Sequence, residues 1–222
     1  MPPTRHRKYN HNKNTTRKRI SAPAREYVEK LKQLYPSCRF DGAVAKTDCD
    51  ADYSGHNITY GEMEYDGIQQ LYEYASSQSN SGIDAFIDVG SGRGKLCMYM
   101  ASKPAITTVM GIELVSQRHD DAIQLKTSLK SRYANKVEFI NSDVLSVDLR
   151  PFSKRKVFVW FSNLCFEQST TNDVFQKLAD ELPKGSILCC SKAPLPEIGH
   201  LITTLTIPMS WSKTSQVYVY EL

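Results

Sequence analysis

The chain has 222 residues, 41% of them hydrophobic, a length that holds one buried α/β core and excludes two full domains. No apolar run approaches the roughly 20 residues that cross a bilayer, and none follows the basic N-terminus as a signal peptide would, so a soluble, intracellular protein is expected. The six cysteines have neither zinc-ligand nor redox spacing, which predicts reduced thiols and no metal.

The net charge of +4 is unevenly placed. Residues 1–25 hold eight Lys/Arg (Arg5, Arg7, Lys8, Lys13, Arg17, Lys18, Arg19 and Arg25) and no acid, leaving 20 basic against 24 acidic residues in the remainder. Residues 1–24 read as a disordered basic arm able to neutralise nucleic-acid phosphates, and residues 25–222 as a single catalytic domain. Arg25–Tyr35 carries apolar residues at three- and four-residue intervals and is predicted helical up to Pro36. A polar connector follows. Its Asp48, Asp50, Asp52 and Gly55 superficially resemble a calcium loop, but the glycine falls late and no closing glutamate follows. Asp66–Ser76 is a second predicted helix, completing a region over 25–82 that precedes the core at 83–222.

From there strands and helices alternate. Strands are predicted at Ala85–Val89, Thr108–Glu113, Lys136–Ile140, Lys156–Phe161 and Ser186–Ser191, with helices at Lys95–Ser102, Gln117–Tyr133 and Thr171–Leu182. Leu201–Ile207 and Gln216–Glu221 add two late strands. This alternation implies a mostly parallel, seven-stranded sheet covered by helices on both faces, the Rossmann-like α/β class.

The chemistry concentrates at Asp88-Val-Gly90-Ser-Gly92-Arg-Gly94, a buried strand running into a glycine-rich turn that opens a helix. Glycines there let a ligand press against backbone. Glu113 closes the second strand about 20 residues later, where a carboxylate can take both ribose hydroxyls. Asp143 closes the third, where a polar group can meet the adenine amine. Dinucleotide enzymes favour glycines at the first, third and sixth positions of this turn. Here they fall at the first, third and fifth, the form found with two later acids in methyltransferases that use S-adenosylmethionine. His56, His119 and His200 lack convincing partners.

After the fourth strand comes Asn163-Leu-Cys-Phe166. It lacks the prolines of nucleobase amino-methyltransferases and the paired glutamates of arginine methyltransferases, and a ribose-methyltransferase tetrad cannot be assembled. Together with Thr59-Tyr60-Gly61-Glu62, Gly111-Ile-Glu113, Ser191-Lys192-Ala-Pro194, Met209-Ser-Trp211-Ser and Tyr218, these segments resemble the disruptor-of-telomeric-silencing histone methyltransferases across about residues 56–222. That family modifies a lysine on the globular face of the third core histone. The resemblance implies a compact, monomeric, nuclear histone-lysine methyltransferase acting on nucleosomes. Tyr60, Glu62, Asp88, Gly90, Gly92, Gly94, Glu113, Asp143 and Asn163 would hold S-adenosylmethionine. Tyr60, Asn163, Phe166, Trp211 and Tyr218 would form the catalytic channel for the lysine. Arg5, Arg7, Lys8, Lys13, Arg17, Lys18 and Arg19, with a lesser part for Lys154, Arg155 and Lys156, would engage nucleosomal DNA, because the arginine-bearing segment the family carries before Met209 is missing. The alternatives left open are methylation of RNA, DNA or a non-histone protein, and a non-catalytic chromatin-binding module.

Overall fold

The computed structural model describes residues 21–35, 61–78 and 82–222. Residues 1–20 of the basic arm read at 1–24, Tyr60 and the aspartate-rich stretch at 48–55 lie outside these residues, while the arm's last three residues, Ala22 to Ala24, are helical. Helix α1 (Ala22–Leu34) starts a turn earlier than its apolar period indicates, because Pro23 suits a first helical turn, where its missing N–H costs nothing. Tyr35 closes it with a non-helical backbone just before Pro36, as the residue preceding a proline must. α2 (Tyr65–Gln78) follows, then β1 (Ala85–Val89), α3 (Lys95–Ala101), β2 (Thr108–Glu113), α4 (Ser116–Leu129) and β3 (Val137–Asn141). The last elements are β4 (Val157–Phe161), α5 (Gln168–Glu181), β5 (Ile187–Cys190), β6 (His200–Met209) and β7 (Ser212–Glu221).

The sheet has seven strands in the order β3-β2-β1-β4-β5-β7-β6. The first five are mutually parallel and β7 runs antiparallel between β5 and β6, which confirms the Rossmann-like class. Strand periodicity sorts the core. Phe86, Phe158, Trp160 and Cys189 face one layer with α1, α2, α3 and α4 residues such as Leu31, Leu71, Met98 and Leu125. Ile87, Val159, Phe161 and Leu188 face the other layer, where α5 supplies Val174, Phe175 and Leu178.

Two boundaries depart from the sequence expectation. The fourth predicted helix stops at Leu129 and not at Tyr133, because Lys130 takes a left-handed backbone (φ 41°) that ends the helical ladder. The last two strands are ten residues each and joined by a short turn, because cross-strand pairing carries Pro208, Met209 and Ser212 into the sheet despite their weak strand patterning.

Candidate functional site

Strand order reverses between β2-β1 and β1-β4, and ligands of open α/β sheets bind in the crevice outside the strand ends at such a point. The glycine turn lies there. Gly90 and Ser91 both donate backbone N–H bonds to the Ile112 carbonyl (2.9 and 3.0 Å), carrying the chain over the end of β2. Gly90, Gly92 and Gly94 have φ of 80°, 54° and 82°, the left-handed region. Two of them are glycine for different reasons. A Cβ on Gly94 would sit 2.6 Å from the Phe139 ring and 2.9 Å from Ala122 Cβ, so packing forbids it. A Cβ on Gly90 would meet only Ser162 at 3.9 Å, so protein atoms leave that side open.

Glu113, 5% exposed, accepts from the N–H groups of Gly92 (2.7 Å) and Val115 (2.8 Å), pinning the turn to the end of β2. Asp88 is buried at the end of β1 and accepts a bond from the Cys97 thiol (3.4 Å). Burial pushes its carboxyl up to about 7; the thiol bond opposes the shift and the Glu113 charge adds to it.

The segment 61–64 closes one wall by pairing with the β6–β7 turn. Ser210 N–H donates to the Glu62 carbonyl (2.7 Å), Ser210 Oγ accepts from Glu62 N–H (3.1 Å), and Met63 bridges Met209. The Glu62 carboxylate, almost fully buried, receives the Lys95 ammonium at 3.0 Å and the Tyr35 hydroxyl. The ammonium lies 4.9 Å from the Tyr65 ring centre, and the Tyr65 hydroxyl donates to the Tyr35 carbonyl (2.6 Å). A buried ion pair needs further partners for its charges, and here the Tyr35 hydroxyl bonds the carboxylate while the Tyr65 ring faces the ammonium. Opposite them, Trp211 lies flat enough on Gly61 that a Cβ there would fall 2.4 Å from its ring.

The resulting cleft has an empty volume of about 420 Å³ including its open mouth. Of the expected residues, Glu62, Asp88, Gly90, Gly92 and Trp211 line it. Lys95, Trp160 and Ser162 line it too, although they were not singled out from sequence, as does Met209, which was noted only as part of the Met209-Ser-Trp211 segment. Lys95 directly follows the glycine turn, and that adjacency was the signal available. Ser91 Oγ is buried in this wall with no hydrogen-bond partner among the described residues, a hydroxyl placed for a ligand.

The other expected residues that are described are not among those lining the cleft. Asn163 is fully buried; its amide donates to Lys192 O (2.8 Å) and accepts from Ser191 N (3.0 Å) and Lys192 N (2.9 Å), stapling the segments after β4 and β5 together. Phe166 packs edge-on against Phe161 at 5.2 Å, and Tyr218 lies on β7 across from Cys190. Asp143 caps a short turn after β3 by accepting from Leu145 N–H (2.9 Å). Among the described residues no cluster of metal-ligating side chains occurs, and no helix is long and apolar enough to cross a membrane.

A family model described as histone methylation protein DOT1 matches residues 44–206. A Drosophila melanogaster histone-lysine N-methyltransferase, H3 lysine-79 specific, is 25% identical over 143 residues, 62% of this chain, which spans only 8% of that relative. Among solved structures, an RNA methyltransferase from Salinibacter ruber in complex with S-adenosyl-L-homocysteine superposes with a TM-score of 0.54 at 18% identity, covering 71% of this chain and 91% of the other. An rRNA methyltransferase from Streptomyces viridochromogenes gives a TM-score of 0.53 at 12% identity over 73% of this chain and 86% of its own. A magnesium protoporphyrin IX methyltransferase from Synechocystis with bound cofactor gives 0.51 at 16% identity over 70% and 77%. At these identities the structural likenesses establish the fold alone.

Proposed function

This chain belongs to the family of the histone methylation protein DOT1, which uses S-adenosylmethionine, and from that premise we propose that it methylates a histone lysine within nucleosomes. The observation that carries the reading is the family match across the cleft at the strand-order reversal, in a site whose wall holds the unpartnered Ser91 hydroxyl. When bound, the cofactor supplies an activated methyl group on a sulfonium.

The protein's share is binding, orientation and exclusion of water. Gly90 and Gly92 give close backbone approach, Glu113 holds their turn rigid, and Asp143 marks the adenosine end. Glu62 and Lys95 place one buried charge of each sign beside the turn, suited to the amino and carboxylate groups of a methionine moiety. Trp211 lines the cleft, and by the family resemblance Phe166 and Tyr218 would complete the aromatic passage for the substrate amine, with Asn163 stapling the segments after β4 and β5. A lysine must be neutral to accept the methyl group, and an apolar, water-poor passage favours the neutral amine. Alignment of the two reactants can contribute roughly 7–11 kcal/mol, and the ammonium proton would leave to solvent before the amine enters the passage, so no dedicated base is required. On this reading the protein works in the nucleus or another chromatin-containing compartment.

The test is transfer of a labelled methyl group, offered separately to nucleosomes, free histones, naked DNA and total RNA. Label on a globular-face lysine of the third core histone, located by mass spectrometry, supports the proposal. Label confined to nucleic acid or to another protein overturns the acceptor and leaves the cofactor assignment intact.

A further inference from the structure

The charges of the folded body are unevenly divided between the two strand ends, with Asp84 before β1 and Arg93 after it as exceptions. The four segments leading into β2, β3, β4 and β5 (102–107, 130–136, 153–156 and 183–186) contain Lys103, Lys130, Arg132, Lys136, Lys154, Arg155, Lys156 and Lys184 and no acid. At the opposite ends, the turns after β3, β4 and β5 carry Asp143, Glu167 and Glu197 against Lys192. Two of the eight cations serve the interior. Lys103 is 3% exposed and Lys136 donates to the carbonyls of Ala101 and Ile106 (3.0 and 2.7 Å). Lys130, Arg132, Lys154, Lys156 and Lys184 are exposed.

Two of these exposed charges, Lys156 and Lys184, line a groove of about 990 Å³ including its mouth, together with Arg155, His200 and one carboxylate, Glu221, among others. Its floor is rigid. Arg155 Nη2 donates to Thr107 Oγ1 (2.6 Å) and Thr108 Oγ1 (2.7 Å), with Asp84 at 3.5 Å from Nε. Of the exposed large hydrophobic side chains among the described residues, only Leu201 is near this edge, which disfavours an apolar partner or the anchor a membrane surface requires. α1 packs its Tyr27 ring against Tyr133 just before β3 (ring centres 5.0 Å), and the 20 residues preceding Ser21 hold seven Lys/Arg and no acid. The start of β3 lies three strand spacings, about 15 Å, from β4.

We propose that this edge of the sheet, opposite the cofactor cleft, binds the phosphate backbone of duplex DNA in the groove between Arg155, Lys156, Lys184 and His200. The surface is separate from the cleft, and its occupancy does not depend on which acceptor is methylated. Binding of a naked duplex of about 25 base pairs, followed by fluorescence anisotropy of the full chain from 50 to 200 mM salt, tests it without histones. Replacing Lys156 and Lys184 by Ala removes two phosphate contacts. It should reduce the slope of log affinity against log salt by nearly two and weaken binding about tenfold or more near 150 mM. The matched pair Lys32→Ala and Lys213→Ala, equal in charge but elsewhere on the surface, should change the slope by less than about 0.5. The Lys→Arg pair at 156 and 184 should restore binding, and cofactor affinity by calorimetry should be equal in all variants. Equal effects of the two Ala pairs would overturn the proposal, as would tighter binding of single-stranded RNA than of duplex DNA.

Discussion

Single residues decide whether the glycine turn accepts a ligand or merely packs. Gly92→Arg introduces a long side chain at a left-handed position lining the cleft and should reduce S-adenosylmethionine affinity by at least about 100-fold (about 2.7 kcal/mol), measured by calorimetry, with the circular-dichroism spectrum retained. Asp88 makes a second prediction. Its folded carboxyl titrates at about 7 against 3.8 unfolded, so the folded state holds the extra proton between those values. Its contribution to stability is therefore fully present below about pH 4 and is lost as pH rises through 7, with a steepest slope of roughly 1.4 kcal/mol per pH unit. Urea titrations without cofactor should show Asp88→Asn flattening the decline between pH 5 and 7. Sequence made Asp88, Gly90 and Gly92 legible because a ligand-bearing turn restricts residue type. It did not single out Lys95, whose relevance arises from Glu62 and Tyr35, 33 and 60 positions earlier in the chain and adjacent only after folding.

Elements of secondary structure were legible wherever one period of hydrophobicity dominated, as in β1 and α5. They were blurred where tertiary pairing set the ends, as along β6 and β7. α2 shows the competition most clearly. Gly67 sits inside the helix, where Ala would gain about 1 kcal/mol of propensity. Yet its Cβ would lie 2.7 Å from the Pro208 carbonyl and 2.9 Å from Ile207 of β6. Gly67→Ala should thus destabilise the fold by about 1–3 kcal/mol in urea unfolding, the opposite sign from the helix scale. Tyr35→Phe removes one of the bonds to the buried Glu62 carboxylate. It should cost about 1–3 kcal/mol in stability and lower cofactor affinity, whereas the same change at the half-buried Tyr72 of α2, which does not line the cleft, should leave affinity unchanged.

For the whole molecule, the sequence announced the sheet class and the two charge regimes. It did not reveal that β7 inserts between β5 and β6, since strand order depends on contacts between distant segments. The helix start at Ala22 also sets where the basic N-terminal residues can be removed cleanly. A chain beginning at Ser21 keeps α1 whole and should bind cofactor normally while losing most nucleosome methylation at about 150 mM salt. Retained methylation would show that residues 1–20 have no part in substrate binding. The β6–β7 hairpin forms the free margin of the sheet, and its tip carries Trp211 over Gly61 while Ser210 and Met209 hold the 61–64 segment. Fraying of that margin would therefore open the cleft from the side, so cofactor residence time would follow the amide-exchange rate of the hairpin more closely than that of the rigid parallel strands.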